Sequence, residues 1–269
     1  MTVGDRVAAG AIPDLTPAER ILGPMRLVVG FVMWMWLTAI WAALLIVLLP
    51  SRVLRIKAIN HFGHVAGGTS MWLSGCPITI DGREHLDVNR PALYISNHTS
   101  IVDLFLGMWI SPVGTVGVAK KQVVWYPLIG QLYLLSGHLR IDRSNRAEAQ
   151  EGLRAMGDIV RKHRLSIWMW PEGTRSRDGR LLPFKKGIIH LALQTRLPIV
   201  PVVVTGAHLA WTKGGLAVRR VPIGIRALPA IETNGWTADK VDAYAVQLHD
   251  VFAANLPPEQ RPVVVAEHP

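Results

Sequence analysis

The segment Tyr94-Ile95-Ser96-Asn97-His98-Thr99-Ser100-Ile101-Val102-Asp103 places an imidazole and a carboxylate five residues apart, where an apolar strand gives way to a polar loop and a helix. On a continuous helix that spacing rotates the chain by about 500°, roughly 140° net, so the two side chains would point apart. They meet only if His98 sits in the loop before the helix, with Thr99 or Ser100 capping and Asp103 reaching back from the first turn. A carboxylate on one ring nitrogen sets the tautomer and favours the protonated ring, leaving the other nitrogen to take a proton from a hydroxyl. That is general-base chemistry. A capped helix with an incidental histidine satisfies the same residues.

A second constellation, Trp170-Pro171-Glu172-Gly173-Thr174-Arg175-Ser176, follows an apolar strand and reads as a tight turn, with proline leading and glycine closing it. Arg175 can hold a phosphate through a bidentate pair of hydrogen bonds. Glu172 can accept from a glycerol hydroxyl or hold the amides of its own loop.

With Arg140-Ile141-Asp142-Arg143 and Leu197-Pro198-Ile199-Val200-Pro201-Val202-Val203-Val204, these segments form four blocks in a fixed order. The chain resembles the lysophosphatidate acyltransferases (1-acylglycerol-3-phosphate O-acyltransferases) of the wider glycerolipid acyltransferase superfamily. NHTSIVD matches that family's NHxxxxD block, RIDR its FIDR-like block, WPEGTRS its FPEGTRS block and LPIVPVVV its apolar proline block, over roughly Ile78 to Gly206. The resemblance implies that His98 is the base and Asp103 its orienting partner. It also implies that Arg143, Glu172 and Arg175 serve the acceptor's phosphate and glycerol, with Gly173 and Thr174 shaping the loop. Asn97 falls with the substrate-binding residues, and Lys120 or Lys121 is a candidate second phosphate contact. Pro201 belongs to a structural or acyl-binding block. Arg140, where the family usually has an aromatic residue, and Trp170, in place of phenylalanine, are departures that bear on headgroup and pocket shape.

The implied reaction moves a fatty acyl group from acyl-CoA or acyl carrier protein to the sn-2 hydroxyl of 1-acylglycerol-3-phosphate, forming phosphatidic acid. A thioester is already activated, so direct attack is expected, with the acyl donor as co-substrate and no further cofactor. A covalent route would use Ser96, Ser100 or Cys76, but no G-x-S-x-G elbow surrounds them. Alternatives are an acyltransferase for another lysolipid, such as lysophosphatidylcholine or an ornithine lysolipid, or a membrane-anchored esterase or lipid-binding protein. His61, His64, His163, His190 and His208 lack carboxylate or thiolate partners at ligand spacing, and no metal site is expected.

Around the blocks, short β-branched runs alternate with amphipathic helices from residue 77 onward, the rhythm of an α/β layer fold with a mixed, mostly parallel central sheet flanked by helices. Strands are expected near Ile78 to Ile80, Ala92 to Ser96, Thr115 to Ala119, His138 to Ile141, Ser166 to Trp170, Ile199 to Val204 and Ile223 to Ala227. Helices are expected from a capping-box-like Asn145 and Glu148 to about Lys162, from Gly187 to Arg196 and from Ala238 to Ala254.

Upstream, Leu27 to Pro50 is an uncharged run long enough to cross a bilayer. Trp34, Trp36 and Trp41 inside it, with Gly30 and Pro50 as bends, favour a helix that dips into one leaflet, and basic residues on both flanks place both ends on the cytoplasmic side. The run is too long for a secretory signal and is expected to be kept. Val53 to Trp72 alternates basic and apolar residues in a way that suits a helix at headgroup level. The expected division is a leader over residues 1–26, a membrane-embedded helical pair over 27–76, the α/β unit over 77–256 and a frayed or draped tail over 257–269. Lysine and arginine outnumber the acids 29 to 19, giving a net charge of +10 and pointing to an anionic partner. No nucleic-acid motif accompanies the charge, so anionic lipid at the cytoplasmic face of the inner membrane is the expected partner, together with the lysolipid and the acyl donor. An apolar groove beside His98 is expected to hold the acyl chain.

Overall fold

Continuous apolar runs such as Ile199-Val200-Pro201-Val202-Val203-Val204 suit strands covered on both faces, and the computed structural model buries every one of those residues. It describes residues 14–86, 89–127, 129–142, 146–211 and 218–263. Two long helices, α1 (Pro17–Val47) and α2 (Arg52–Ser74), precede β1 (Ile78–Asp81), β2 (Leu93–Ser96), α3 (Val102–Ile110), β3 (Thr115–Lys120), α4 (Ile129–Leu135) and β4 (Leu139–Ile141). Then come α5 (Arg146–His163), β5 (Ser166–Met169), α6 (Gly187–Thr195), β6 (Ile199–Thr205), α7 (Ala207–Ala210), β7 (Ile223–Ala227) and α8 (Val241–Asn255). All seven strands lie where the sequence places them, as do the helices α5, α6 and α8. Asn145, expected to cap α5, lies outside the described residues.

The seven strands form one sheet in the order β1-β7-β6-β2-β5-β3-β4. From β6 through β4 every neighbouring pair is parallel, and among the described strands the one antiparallel pair is β6 with β7. The carboxyl ends of β6, β2, β5, β3 and β4 therefore share one edge. Alternation sends Leu93 and Ile95, Ile167, and Ile199 and Val203 into a core under α5, α6 and α8, while Tyr94, Trp168, and Val200, Val202 and Val204 face a second core under α3.

Helix α2 docks on that second face, and the close approach requires glycine. A Cβ on Gly67 would stand 2.5 Å from the carbonyl oxygen of Phe105 on α3. Buried Asn60 of α2 donates to the Thr115 carbonyl at 2.9 Å and accepts from Gly114 and Thr115 amides at 2.8 and 3.0 Å. Much of α2 is thus spent on holding α3 and β3, where the sequence suggested a helix lying along headgroups.

Helix α1 packs antiparallel to α2: the Trp34 indole donates to Ser70 at 2.9 Å and the Trp41 indole to the Ala58 carbonyl at 2.9 Å. Two of the tryptophans taken as signs of a dipping helix are therefore explained by packing, whereas Trp36 is exposed. The helix begins at Pro17, inside the expected leader, because Thr16 and Glu19 form a capping box. It runs on through Pro24 and Gly30, where a bend was allowed for at Gly30. It is long and apolar enough to cross a membrane, and Ile21, Val28, Phe31, Ile40 and Val47 along it are exposed.

Candidate active site

Strand β2 delivers Asn97, His98 and the following loop to the shared carboxyl edge of the sheet, the place where open α/β sheets bind ligands. Asn97 is 1% exposed; its amide donates to the Val204 carbonyl and accepts from the Val204 N–H, both at 2.8 Å. Expected among the substrate contacts, it is used here to clasp β6 and steady the loop.

Asp103, in the first turn of α3, brings one oxygen to three donors. Its Oδ2 accepts from His98 Nδ1 at 3.0 Å and from the amides of Thr99 and Ser100 at 2.6 and 2.8 Å. The carboxylate itself therefore collects most of the loop's amides, with Ser100 Oγ accepting only from Val102 N at 3.3 Å. With Nδ1 donating to Asp103, the lone pair of His98 lies on Nε2. The imidazole stacks on Trp170, with ring centroids 4.7 Å apart and planes 25° apart.

The turn after β5 grips the His98 backbone at both ends. Glu172 Oε1 accepts from His98 N at 2.7 Å, and the His98 carbonyl accepts from Ser176 N at 2.8 Å. Glu172 Oε2 accepts from Leu182 N at 3.3 Å. Of the two roles open to Glu172, the structure shows it holding loop amides, 1% exposed. Burial pushes its carboxyl up to about 8 against the pull of those two amides, and the negative charge of Asp103 adds to the rise. Gly173 takes a left-handed φ of 74°, which a side chain would strain, and Thr174 and Arg175 stand exposed beyond it. Arg175 makes no ion pair with any described residue.

Lys120 ends β3, two strand positions from β2, on the same edge. It is exposed and unpaired among the described residues, whereas Lys121 faces Glu148 at 3.3 Å and Asp142 at 3.9 Å. The structure thus separates two lysines that the sequence left equivalent. Arg143 lies outside the described residues. An apolar cavity of about 420 Å³ lies against α3, walled by Leu27, Phe31, Trp34, Met71, Val102 and Phe105 among others. Val102 precedes Asp103, so the cavity reaches the turn that carries the carboxylate.

A family model described as acyltransferase matches residues 77–205. A 1-acyl-sn-glycerol-3-phosphate acyltransferase of Limnanthes douglasii is 50% identical over 90% of this chain and 86% of its own length. This chain belongs to the 1-acylglycerol-3-phosphate acyltransferase family. A 1-acyl-sn-glycerol-3-phosphate acyltransferase of Salmonella typhimurium is 36% identical over 69% of this chain and 74% of its own. The crystal structure of the 1-acyl-sn-glycerophosphate (LPA) acyltransferase PlsC from Thermotoga maritima has the same fold, with a TM-score of 0.65 at 18% identity, over 86% of this chain and 95% of that one.

Sequence reasoning on this acyltransferase missed Ser176 and Gln260. The segment after Leu256, expected to be frayed or draped, lies against the domain as far as Arg261: Gln260 is 1% exposed, accepts from Gly206 N at 3.1 Å and donates to the Gly179 carbonyl at 3.4 Å. Its own carbonyl accepts from Leu181 N at 2.9 Å, next to the Leu182 amide that Glu172 holds. No local pattern marks a glutamine as a brace between two loops. Gln260→Ala is expected to cost roughly 1–3 kcal/mol through the unpaired amide and carbonyl. Steady-state kinetics should show the acceptor KM rising several-fold with kcat nearly unchanged, because the loosened loop carries Arg175, the residue to which the family resemblance assigns the acceptor phosphate.

The raised carboxyl of Glu172 has a consequence for stability. Folded, it binds its proton more tightly than when unfolded, so stability falls as pH rises from the ordinary 4.5 to about 8. Glu172→Gln, measured by thermal unfolding across that range, is expected to flatten this slope while lowering stability overall, since an amide cannot accept from both backbone N–H groups.

Proposed function

We propose that this acyltransferase moves a fatty acyl group from acyl-CoA or acyl carrier protein to the sn-2 hydroxyl of 1-acylglycerol-3-phosphate, producing phosphatidic acid at the cytoplasmic face of the inner membrane. The observation that carries the reading is the His98 ring, tied through Nδ1 to Asp103 at 3.0 Å, on the sheet edge that also presents Arg175. The names of the relatives support the acceptor. In the reaction, Nε2 of His98 takes the proton of the acceptor hydroxyl as its oxygen adds to the thioester carbonyl. Collapse of the tetrahedral adduct forms the ester and breaks the carbon–sulfur bond, and the imidazolium returns its proton to the departing thiolate. Asp103 holds the ring in the required tautomer and stabilises the transient positive charge.

Arg175 receives the acceptor phosphate, with Lys120 as a second cation at the same edge, and the family resemblance adds Arg143 to the same role. Gly173 and Thr174 present Arg175, while Asn97 and Glu172 hold the loops. The apolar cavity takes an acyl chain, and α1 anchors the enzyme so that lysolipid and product stay in the bilayer. No cofactor enters the scheme.

The test is thiol release by the purified chain with a panel of lysolipids and both donor types. Release should require donor and acceptor together. Release without an acceptor would make the protein a thioesterase, and preference for lysophosphatidylcholine or an ornithine lysolipid would reassign the headgroup. Arg175→Ala should raise the lysophosphatidate KM about 10- to 100-fold, the worth of a charge-assisted hydrogen bond or two. Arg175→Lys should recover only part of that, since lysine keeps the charge without the bidentate fork.

A further inference from the structure

Residues 122–139 form a second uncharged stretch, without one Asp, Glu, Lys or Arg, that the chemistry leaves unused. It opens as a 3-10 turn over Lys121–Trp125, turns at Pro127 and enters α4. The backbone there is tightly folded: a Cβ on Gly130 would stand 2.2 Å from the Val124 carbonyl oxygen, and Gly130 N donates to the Tyr126 carbonyl at 2.7 Å. This closed corner holds Trp125 at 82% exposure and Tyr126 at 63%, with Leu134 of α4 at 53%. Two large aromatic side chains held side by side are costly to leave in water, and exposed apolar patches of this kind mark a partner.

The surroundings identify the partner. Leu132 of α4 is buried in the cluster that includes Leu45 of α1, and Pro127 and Ile129 share the wall of the apolar cavity with Leu27 and Phe31 of α1. The corner is thereby continuous with the uncovered apolar side of α1. Tryptophan and tyrosine are the residues that favour the boundary between acyl chains and headgroups. At seven residues, α4 is far too short to cross a bilayer.

We infer that the Trp125–Tyr126 corner is a second membrane-dipping element, set beside α1 at the mouth of the apolar cavity so that a lipid chain enters the cavity from the bilayer. The inference rests on the membrane anchoring by α1 proposed above.

The test uses the full chain in phosphatidylethanolamine–phosphatidylglycerol vesicles, in a Cys76→Ala background that removes its one cysteine. Trp125→Cys, Phe31→Cys and Ala155→Cys each receive an environment-sensitive fluorophore. Nitroxides on the lipid chains should quench the labels at 125 and 31 and spare the label at 155. A label at 125 that stays aqueous while the one at 31 is quenched overturns the corner and leaves the anchor standing; if both stay aqueous, the anchor fails as well. The double variant Trp125→Ser with Tyr126→Ser should raise the KM for vesicle-borne lysophosphatidate about tenfold and leave kcat/KM for a short-chain, water-soluble acceptor unchanged. Equal loss on both acceptors, or no change on either, overturns the proposal.

Discussion

Replacing His98 by alanine is expected to lower kcat ~100-fold to 10,000-fold, read as thiol release with saturating donor and acceptor. On the mechanism proposed above the loss falls on kcat, because the imidazole is needed when the hydroxyl proton moves, whereas the phosphate is there assigned to Arg175 and the acyl chain to the apolar cavity. The fold should survive. The loop bonds to Glu172 and Ser176 are made by the His98 backbone N–H and carbonyl, which alanine retains. A variant as active as the wild type would end the general-base assignment, and an acyl-enzyme trapped by acid quench would replace direct attack with a covalent route.

Asp103 separates charge from geometry. Because Oδ2 alone accepts from His98, Thr99 and Ser100, and Oδ1 is buried without a hydrogen-bond partner, the asparagine oxygen can occupy the Oδ2 position and keep all three bonds. The two amides pin that orientation, so the ring keeps its tautomer in Asp103→Asn and loses only the neighbouring negative charge. A unit charge 3.0 Å from the developing imidazolium is worth several kcal/mol at the effective dielectric of a protein site, so kcat should fall about 100-fold or more with little change in Tm. Asp103→Ala removes the acceptor altogether and leaves three buried donors unpaired, costing roughly 3 kcal/mol or more. Its Tm should drop by about 10 °C on top of the kinetic loss. Equal Tm values for the two variants would show that Asp103 does not hold the loop.

Several features of the fold were legible because they are written in local patterns. The five parallel strands from β6 to β4 are mostly buried apolar runs, β6 the most β-branched of them, and glycine and proline recur in their bounding turns, so runs such as Ile199 to Val204 could be read directly. The start of α1 was missed although its signal was present: Thr16 and Glu19 form a capping box ahead of the apolar run, but the leader was read by its charge. The inward tryptophans Trp34 and Trp41 were misjudged because periodicity shows that a face is apolar without showing whether protein or lipid covers it.

The encounter of His98 with Asp103 could be foreseen from five residues of spacing, since helical rotation leaves one arrangement that brings them together. Nothing comparable ties Glu172 to the His98 amide, 74 residues away, or Asn97 to Val204, 107 residues away.

By itself the sequence determined which segments become strands and helices, where the chain is apolar enough for a membrane, and the one arrangement in which an imidazole and a carboxylate could meet at a strand end, because all of these depend on neighbours within a turn or two. Tertiary structure decided the rest. The order β6-β2-β5-β3-β4 brings His98, Arg175 and Lys120 to one edge, turns Glu172 and Asn97 into braces, pairs Lys121 with acids and folds Gln260 under the loop. Those outcomes depend on which distant backbone groups are left needing partners once the strands are aligned, and that is known only when the sheet has formed.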